Sequence, residues 1–413
     1  MKASNLVQRN RWNNRLKAIA LGIGLALSLL TFRTWYETFL FGHPLCADCR
    51  PDFPQFYAGA RLVWQNPTAL YDPAKQLIIQ KAIDPRITDI LPYTYPPVTA
   101  VLLIPLGWLP FPLAYAAMTA LNFLLLAVSI RLLIEKLKLT REQSTWLILS
   151  GLCNYGVHSG LILGQISIVA LLLFAAFVVA CQGRCQIGAG LFAGFIFIKP
   201  QLQAVPLFVL IGKRMWLSAA IASTTVLMFI ILSVILVSWA GIEQYLNLIG
   251  TYLTIERGYG SYPEAMQNLR ALVQYAVPFP LSRYFVLILT GCVIVAAILL
   301  NRPMHAEPRI VAAQWIGNFV AGILITPHLY PHDLAILIVP TAFAIKLYGE
   351  TLPAWLFVLL IALGFYPLLA LMSGHQLPPL VPLVFLVIFG FCVRWVRRSV
   401  VDHSRVPTPS ARD

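Results

Sequence analysis

Charged residues are what this sequence has least of. Only 11% of its 413 residues are charged, whereas 59% are hydrophobic and the mean hydropathy is +0.76. A soluble protein has about a quarter of its residues charged, because they cover its surface. The shortage therefore excludes an ordinary soluble globular enzyme. The long apolar runs that replace the charges predict an all-α polytopic membrane protein.

Acidic residues are scarcer than basic ones. The chain has 16 Asp and Glu against 30 Lys and Arg, which gives a net charge of +14. The basic residues form no continuous stripe of the kind that binds nucleic acid, so we expect no nucleic-acid partner. They lie instead between apolar runs, where an excess of cations marks the cytoplasmic ends of membrane helices.

Twelve apolar runs make up most of the chain, and a helical crossing needs about 20 such residues. Threading them alternately through a plasma membrane places the basic clusters and both termini on the cytoplasmic side. We therefore predict about 12 transmembrane helices. The run 98–133 contains three prolines, which predicts one kinked crossing with a re-entrant start. The runs are 18–40, 98–133, 145–157, 162–181, 186–198, 201–211, 214–239, 284–301, 310–326, 333–346, 353–372 and 378–396.

The same threading divides the chain into three parts. Residues 1–17 form a basic cytoplasmic N-terminus, residues 18–396 the transmembrane domain, and residues 397–413 a polar cytoplasmic tail that we expect to be disordered. Two long polar segments fall on the extracytoplasmic side. The first polar segment, 42–97, contains five of the eight aspartates, and the second polar segment is 241–280.

Polar groups at membrane depth are costly, so they mark functional sites by default. The threading brings polar residues from five separate parts of the chain to the extracytoplasmic side. This convergence predicts one site. The residues are Asp52, His158, Gly164-Gln165, Lys199-Pro200-Gln201 and the segment 328–333.

Asp52 lies in the first polar segment, within Pro51-Asp52-Phe53-Pro54-Gln55-Phe56-Tyr57. A carboxylate among aromatic side chains becomes a general base when its pKa rises. A helix cap or loop carboxylate is the alternative, because Asp favours both positions.

Lys199 stands inside apolar flanks, and an ammonium there needs a partner. A lipid phosphate or diphosphate would serve, and Pro200, which breaks the helix, favours a functional role. The alternative is that the long side chain reaches an interface by snorkelling.

The segment 328–333 contains two imidazoles, a phenol and a carboxylate within six residues. A histidine near neutral pH donates to a phosphate or exchanges a proton. The alternative is a two-proline turn that faces water. We expect no metal, because His328 and His332 straddle Pro331 and do not share a regular helix. Arg270, in the second polar segment, contacts either sugar or phosphate, or only solvent.

The cysteines say little about the function of the protein. Cys46 and Cys49 lie in the first polar segment, where a disulfide is permitted. A C-x-x-C pair also binds metals, but no second pair follows, and the sequence leaves the pairing open. We interpret the other five as small apolar packing residues: Cys153, Cys181, Cys185, Cys292 and Cys392.

Several motifs, in this order and spacing, resemble glycosyltransferase family 87 over roughly residues 18–346. They are Asp52 to Leu62, Ala69-Leu70-Tyr71-Asp72, Tyr95-Pro96-Pro97 with Pro105-Leu106, Gly164-Gln165, Gly190-Leu191, Ile198-Lys199-Pro200-Gln201 and Thr326-Pro327-His328. The resemblance implies a GT-C fold with its active site at the extracytoplasmic mouth. It also implies transfer of mannose, another hexose or arabinofuranose, with inversion, from a polyprenyl-phosphate donor to a lipid or glycan hydroxyl.

The family's acidic residue in the first outer loop matches Asp52, which would be the catalytic base. Lys199 matches the motif near the donor phosphate, and the family's late histidine matches His328, with His332 as a second choice. Gln165, Gln201, Tyr57 and Arg270 complete the expected substrate-binding set. No cofactor is expected.

A nucleotide-binding glycine-rich loop and a D-x-D pair are both missing from the sequence, which fits a lipid-linked donor better than a nucleotide sugar. The alternative function is a flippase for lipid-linked sugars or a small-solute transporter, which would use the same Lys, His and Asp. Such proteins have symmetric halves and charges near mid-membrane, whereas the polar groups here crowd one mouth.

Overall fold

Every regular element in the part of the chain that the structure describes is helical, with no strand among them. The structure is a computed structural model. It describes residues 15–16, 18–30, 33, 52–85, 87, 89–254, 262–301, 307–348, 359, 362–363, 366–367, 369 and 377–404. Cys46 and Cys49, most of residues 1–17 and of the run 353–372, and the tail from 405 lie outside the described residues.

The helices are numbered here in chain order. They are α1 (Ala18–Leu30), α2 (Phe53–Gln65), α3 (Pro73–Ile83), α4 (Pro97–Leu102), α5 (Ile104–Gly107), α6 (Phe111–Leu137), α7 (Arg141–Leu152), α8 (Tyr155–Leu163), α9 (Ser167–Gln182), α10 (Gln186–Phe195), α11 (Ala204–Gly212), α12 (Trp216–Thr254), α13 (Leu269–Ala276), α14 (Leu281–Leu300), α15 (Pro308–Ile325), α16 (Ile338–Tyr348) and α17 (Leu380–Ser404).

Five of these helices are long and apolar enough to cross a membrane, which confirms an all-helical membrane protein. They lie in α6, α12, α14, α15 and α17. A sixth crossing is formed if α7 and α8, which are bent by 51° at their junction, are one broken span. The number of about 12 crossings stays a prediction, because α9, α10 and α11 are each shorter than the roughly 20 residues that a straight span needs.

Prolines set where the first long span begins. The run 98–133 is divided into the short helices α4 and α5 and the 27-residue helix α6. Pro110 and Pro112 stand at the start of α6, where a missing N–H costs nothing because the first turn has free donors in any case. The two prolines therefore begin the long helix and leave its middle uninterrupted.

Neither polar segment is a simple loop. In the first, α2 and α3 are both helical. In the second, α12 continues to Thr254 past a break at Ser238, and α13 follows. Helices therefore take up part of both polar segments. Polarity does not end a helix whose polar side chains are exposed, as those of Glu243 and Asn247 are.

The apolar core surrounds α15, which is mostly buried among the other helices. Trp315 of α15 stacks on Phe343 of α16, and Phe319 packs edge-on against Phe174 of α9. A second, aromatic cluster lies under α2 and includes Phe53, Phe56, Tyr93, Tyr95 and Tyr115. The candidate site lies where this aromatic cluster meets the breaks that follow α8, α10 and α15.

Candidate active site

Asp52 stands at the N-cap of α2, but its side chain makes no capping hydrogen bond. Pro54, in the first turn, has no backbone N–H to offer. The carboxylate is used elsewhere, since its Oδ2 accepts a hydrogen bond from Gln165 Nε2. The cap interpretation of Asp52 therefore does not describe its side chain.

Gln165 is fixed by contacts on every side and is only 2% exposed. Tyr95 donates its hydroxyl hydrogen to Gln165 Oε1 at 3.2 Å, and the side-chain amide of Asn122 donates to the backbone carbonyl of Gln165 at 3.1 Å. Because Oε1 is an acceptor for Tyr95, the amide Nε2 is turned toward Asp52. Tyr95 thus decides which end of the amide faces the carboxylate.

Gly164 makes this geometry possible. It ends α8 in the left-handed conformation, with φ +64. A Cβ at this position would lie 2.7 Å from Phe53 Cβ, which is closer than carbon atoms approach. Only glycine permits both this conformation and this close approach. Gly164 therefore lets Gln165, which follows it, reach Asp52.

Lys199 lies between two short 3₁₀ turns at the break between α10 and α11, and its side chain is fully buried. Its ammonium forms an ion pair with Asp333 and donates to Ser167 Oγ at 2.7 Å. Ser167 in turn donates to Asp333 at 3.0 Å. In place of the lipid phosphate expected from the sequence, Lys199 has a carboxylate of the protein as its partner. Its role as a phosphate ligand stays a prediction.

The ion pair lies beside Asp52. The Lys199 ammonium is 5.9 Å from the centre of the Tyr95 ring, which also contacts Gln165. Burial raises the pKa of Asp333, but the neighbouring Lys199 and His332 outweigh it and hold that pKa below its usual value. The pair is therefore one buried positive and one buried negative charge at the side of the candidate base.

Burial raises the pKa of Asp52 to about 6. The hydrogen bond from Gln165 and the charge of Lys199 act in the opposite direction, and the charge of Asp333 raises the value again. A general base works best when its pKa is near the working pH. Asp52 is therefore a carboxylate adjusted toward proton transfer.

The histidines of the segment 328–333 lie around the same charges. His332 Nε2 is 3.6 Å from Asp333, and the rings of His328 and Tyr330 meet at right angles with centres 4.7 Å apart. Burial lowers the pKa of His328 to about 4 and that of His332 to about 3. Both imidazoles are therefore neutral at neutral pH and act as hydrogen-bonding groups without positive charge.

Arg270 joins the site through the second polar segment. Asn268 caps α13 and donates its side-chain amide to the Thr326 carbonyl at 2.7 Å. The backbone N–H of Gln267 donates to the Leu329 carbonyl at 2.9 Å. These bonds hold α13 against the segment 328–333, so that the Arg270 charge contributes to lowering the pKa of His328.

Three polar residues predicted to belong to the site have other uses here. Tyr57 donates its hydroxyl hydrogen to the Leu109 carbonyl at 2.9 Å, which ties α2 to the start of α6. His158 Nε2 lies 2.7 Å from the Leu152 carbonyl at the bend between α7 and α8. Gln201 accepts from Thr326 through its backbone oxygen at 2.9 Å. These contacts stabilise the fold. A role of the three residues in substrate binding stays a prediction.

Sequence reasoning missed three members of the cluster: Tyr95, Asn122 and Ser167. Tyr95 was part of a family motif, and Asp333 lay in the predicted segment 328–333 without a role of its own. Asn122 and Ser167 are single polar residues in apolar helices. The sequence does not indicate a role for such residues until their partners in the folded chain are known. Among the described residues no three His, Cys, Asp or Glu side chains are arranged to hold a metal ion.

A model of glycosyltransferase family 87 matches residues 93–327, more than half of the chain. The match contains Gln165, Lys199 and Arg270. It begins after Asp52 and ends one residue before His328, so both lie outside it. A comparison with curated proteins gives no significant match.

Proposed function

The chain belongs to glycosyltransferase family 87 and is a membrane glycosyltransferase, and we propose that it takes its sugar from a polyprenyl-phosphate donor. The sugar, mannose or another hexose or arabinofuranose, is passed to a lipid or glycan hydroxyl at the extracytoplasmic face of the plasma membrane. We further propose a GT-C architecture of about 12 crossings with both termini cytoplasmic.

The observation that carries the chemistry is the Asp52 carboxylate, held by Gln165 and with its pKa raised to about 6. In the proposed reaction Asp52 takes the proton of the acceptor hydroxyl while that oxygen attacks the anomeric carbon. The bond from this carbon to the donor phosphate oxygen breaks, and the lipid phosphate leaves with the electron pair. Inversion needs one base, in contrast to the paired carboxylates of a retaining hydrolase.

The leaving phosphate is already a stable anion, so it needs hydrogen-bond donors and positive charge more than a general acid. We propose that His328 and His332 supply the hydrogen-bond donors and that Arg270 supplies the positive charge. Lys199, compensated by Asp333, acts mainly on the electrostatic balance around Asp52 in this proposal.

The breaks between short helices support a lipid-linked donor. Residues 164–166, 199–203 and 326–337 interrupt apolar helices and carry the polar groups of the cluster. Irregular backbone at membrane depth is tolerated where it lines a cavity or is buried in protein. A donor with a polar sugar phosphate and an apolar tail fits polar breaks that are flanked by apolar helices.

The test is sugar transfer in proteoliposomes with polyprenyl-phosphate mannose and polyprenyl-phosphate arabinofuranose. Asp52→Asn should abolish transfer, because the amide still accepts from Gln165 but takes no proton. Asp72→Asn is the matched control in the same polar segment, since Asp72 caps α3 and Asn caps equally well. Full turnover by Asp52→Asn would show that another group is the base.

The same vesicles test the transporter alternative. A flippase would move the intact lipid-linked sugar between leaflets without forming a new glycosidic bond. Movement without transfer in the wild-type protein would therefore favour that alternative over the proposed enzyme.

A further inference from the structure

A cleft lies between α14 and α17, away from the candidate active site. Its volume is about 420 Å³, which is within the range of small-molecule sites. Ala296 of α14 and Phe389, Gly390, Val393, Arg394 and Arg397 of α17 line it.

The position of this cleft follows from α15. The end of α15 leads into the segment 328–333, whereas its start follows α14 through residues 301–307. Leu300 near the end of α14 and Cys392 of α17 both lie against Gly317, so the cleft is beside the middle of α15. Eight residues, about 12 Å of helix, separate Gly317 from the end of α15, and none of the residues that line the cleft belongs to the candidate site.

Two arginines stand at one end of the cleft. Arg394 and Arg397 are three residues apart, so they share one face of α17, and both are exposed. They lie in the last turn of the apolar stretch Leu380–Arg397, where a span reaches the headgroup layer. Within the described parts of the chain no carboxylate forms an ion pair with either guanidinium.

The rest of the cleft is apolar and has space. A Cβ built on Gly390 meets no atom within 4 Å, so the wall is open there. Ala296, Phe389 and Val393 supply apolar surface beside it. The cleft thus combines an apolar wall with two cations at the end of the apolar stretch of α17.

We propose that this cleft binds one anionic phospholipid, with an acyl chain along Gly390 and Val393 and the phosphate between Arg394 and Arg397. Arginine holds phosphate through two parallel hydrogen bonds, which gives geometry as well as charge. Basic pockets between membrane helices bind anionic headgroups on the same principle. The lipid would hold α17 against α14 and takes no part in sugar transfer.

The test uses the purified full-length protein in a non-ionic detergent. Native mass spectrometry and thermal unfolding are followed with phosphatidylglycerol, phosphatidylcholine or inorganic phosphate. We expect phosphatidylglycerol to bind about tenfold more tightly than phosphatidylcholine and to raise the midpoint of unfolding. Inorganic phosphate alone should do neither, because it fills no apolar wall.

Two variants separate the two halves of the cleft. Arg394→Gln with Arg397→Gln should remove the preference for the anionic lipid, and Gly390→Phe should block binding while both arginines stay in place. Arg141→Gln, which changes an exposed arginine at the start of α7, is the control and should bind as the wild type does. Equal binding of both lipids, full stabilisation by phosphate alone, a dimer that excludes lipid, or unchanged binding by the variants would overturn the proposal.

Discussion

Gln165 donates a hydrogen bond to Asp52 across 113 residues of sequence, and this contact joins the first polar segment to the break between α8 and α9. Tyr95 and Asn122 hold Gln165 from its other sides. A carboxylate oriented by an amide loses little entropy when it accepts a proton, because it does not have to be repositioned. The contact makes Asp52 a fixed group.

The pH dependence of sugar transfer should report on Asp52. Its pKa of about 6 means that kcat/KM rises with pH up to about 6 and is flat above it. Below that value it should fall about tenfold per pH unit, because only the carboxylate is a base. Initial rates in proteoliposomes between pH 4.5 and 8 measure this profile. A rate that is constant from pH 5 to 8 would contradict the assignment.

Asp52→Asn should also change stability, in a direction fixed by the same pKa. Burial raises the folded-state pKa above 3.8, so the folded protein binds the proton more tightly than the unfolded chain does. The contribution of Asp52 to stability is therefore present below pH 4 and is lost as the pH rises through 6. The Asn variant should be more stable than the wild type at pH 7, by on the order of 1–3 kcal/mol. Thermal unfolding at pH 4 and pH 7 checks this, with the difference expected only at pH 7.

Gln165→Met removes the donor to Asp52 but keeps the length of the side chain. Because this hydrogen bond lowers the pKa of Asp52, its loss should raise that pKa and move the pH–rate profile to higher pH. We expect kcat to fall about tenfold or more at pH 7. Gln182→Met, at the exposed end of α9, is the control and should leave the profile unchanged. A lower rate with the profile unmoved would show that Gln165 only supports the fold.

The buried pair of Lys199 and Asp333 predicts opposite effects from two single changes. Lys199→Met removes a cation that lowers the pKa of Asp52, so the pH–rate profile should move to higher pH. Asp333→Asn removes an anion that raises the pKa of Asp52, so the pH–rate profile should move to lower pH. Each single change should cost about 3–5 kcal/mol of stability, because one buried charge loses its partner.

The double variant, with Met at 199 and Asn at 333, serves as the control for this pair. Removing both charges should cost less stability than the sum of the single changes, because no unpaired charge stays buried. Unfolding midpoints of the four proteins complete the cycle. Shifts of the profile in the same direction for both single variants would contradict the electrostatic role.

Gly164→Ala should damage the site through the backbone. The alanine would have to adopt φ +64 and place its Cβ 2.7 Å from Phe53. We expect the free energy of unfolding to fall by about 1–3 kcal/mol. We also expect Gln165 to be displaced, which should lower the rate of sugar transfer. Gly291→Ala in α14 is the matched control, since its Cβ meets nothing within 4 Å. An alanine at 164 with wild-type stability and rate would exclude this role.

The general character of the fold could be predicted from the sequence, because composition and apolar runs are local properties. Family membership could be predicted too, and the match over residues 93–327 confirms it. Helix limits were harder to predict. The prolines at 110 and 112 begin α6, whereas α12 continues into the second polar segment.

The sequence predicted several residues of the candidate site, but it did not predict which of them contact one another. The need of a buried ammonium for a partner follows from its charge, but that this partner is Asp333 is a property of the folded chain. Ser167 and Asp333 are 166 residues apart, and nothing in the spacing connects them. The orientation of the Gln165 amide likewise depends on Tyr95, which precedes α4, and Asn122 of α6 holds the Gln165 backbone carbonyl.

The ion pair between Lys199 and Asp333 also bears on how the protein is made. Synthesis runs from the N-terminus, so Lys199 enters the bilayer long before its counter-ion exists. During that interval the Lys199 ammonium has no counter-ion, which is costly at membrane depth. The flanking helices α10 and α11 are also each too short to span the membrane. The pair forms only after the chain around Asp333 has been made, which makes its formation a late step in biogenesis.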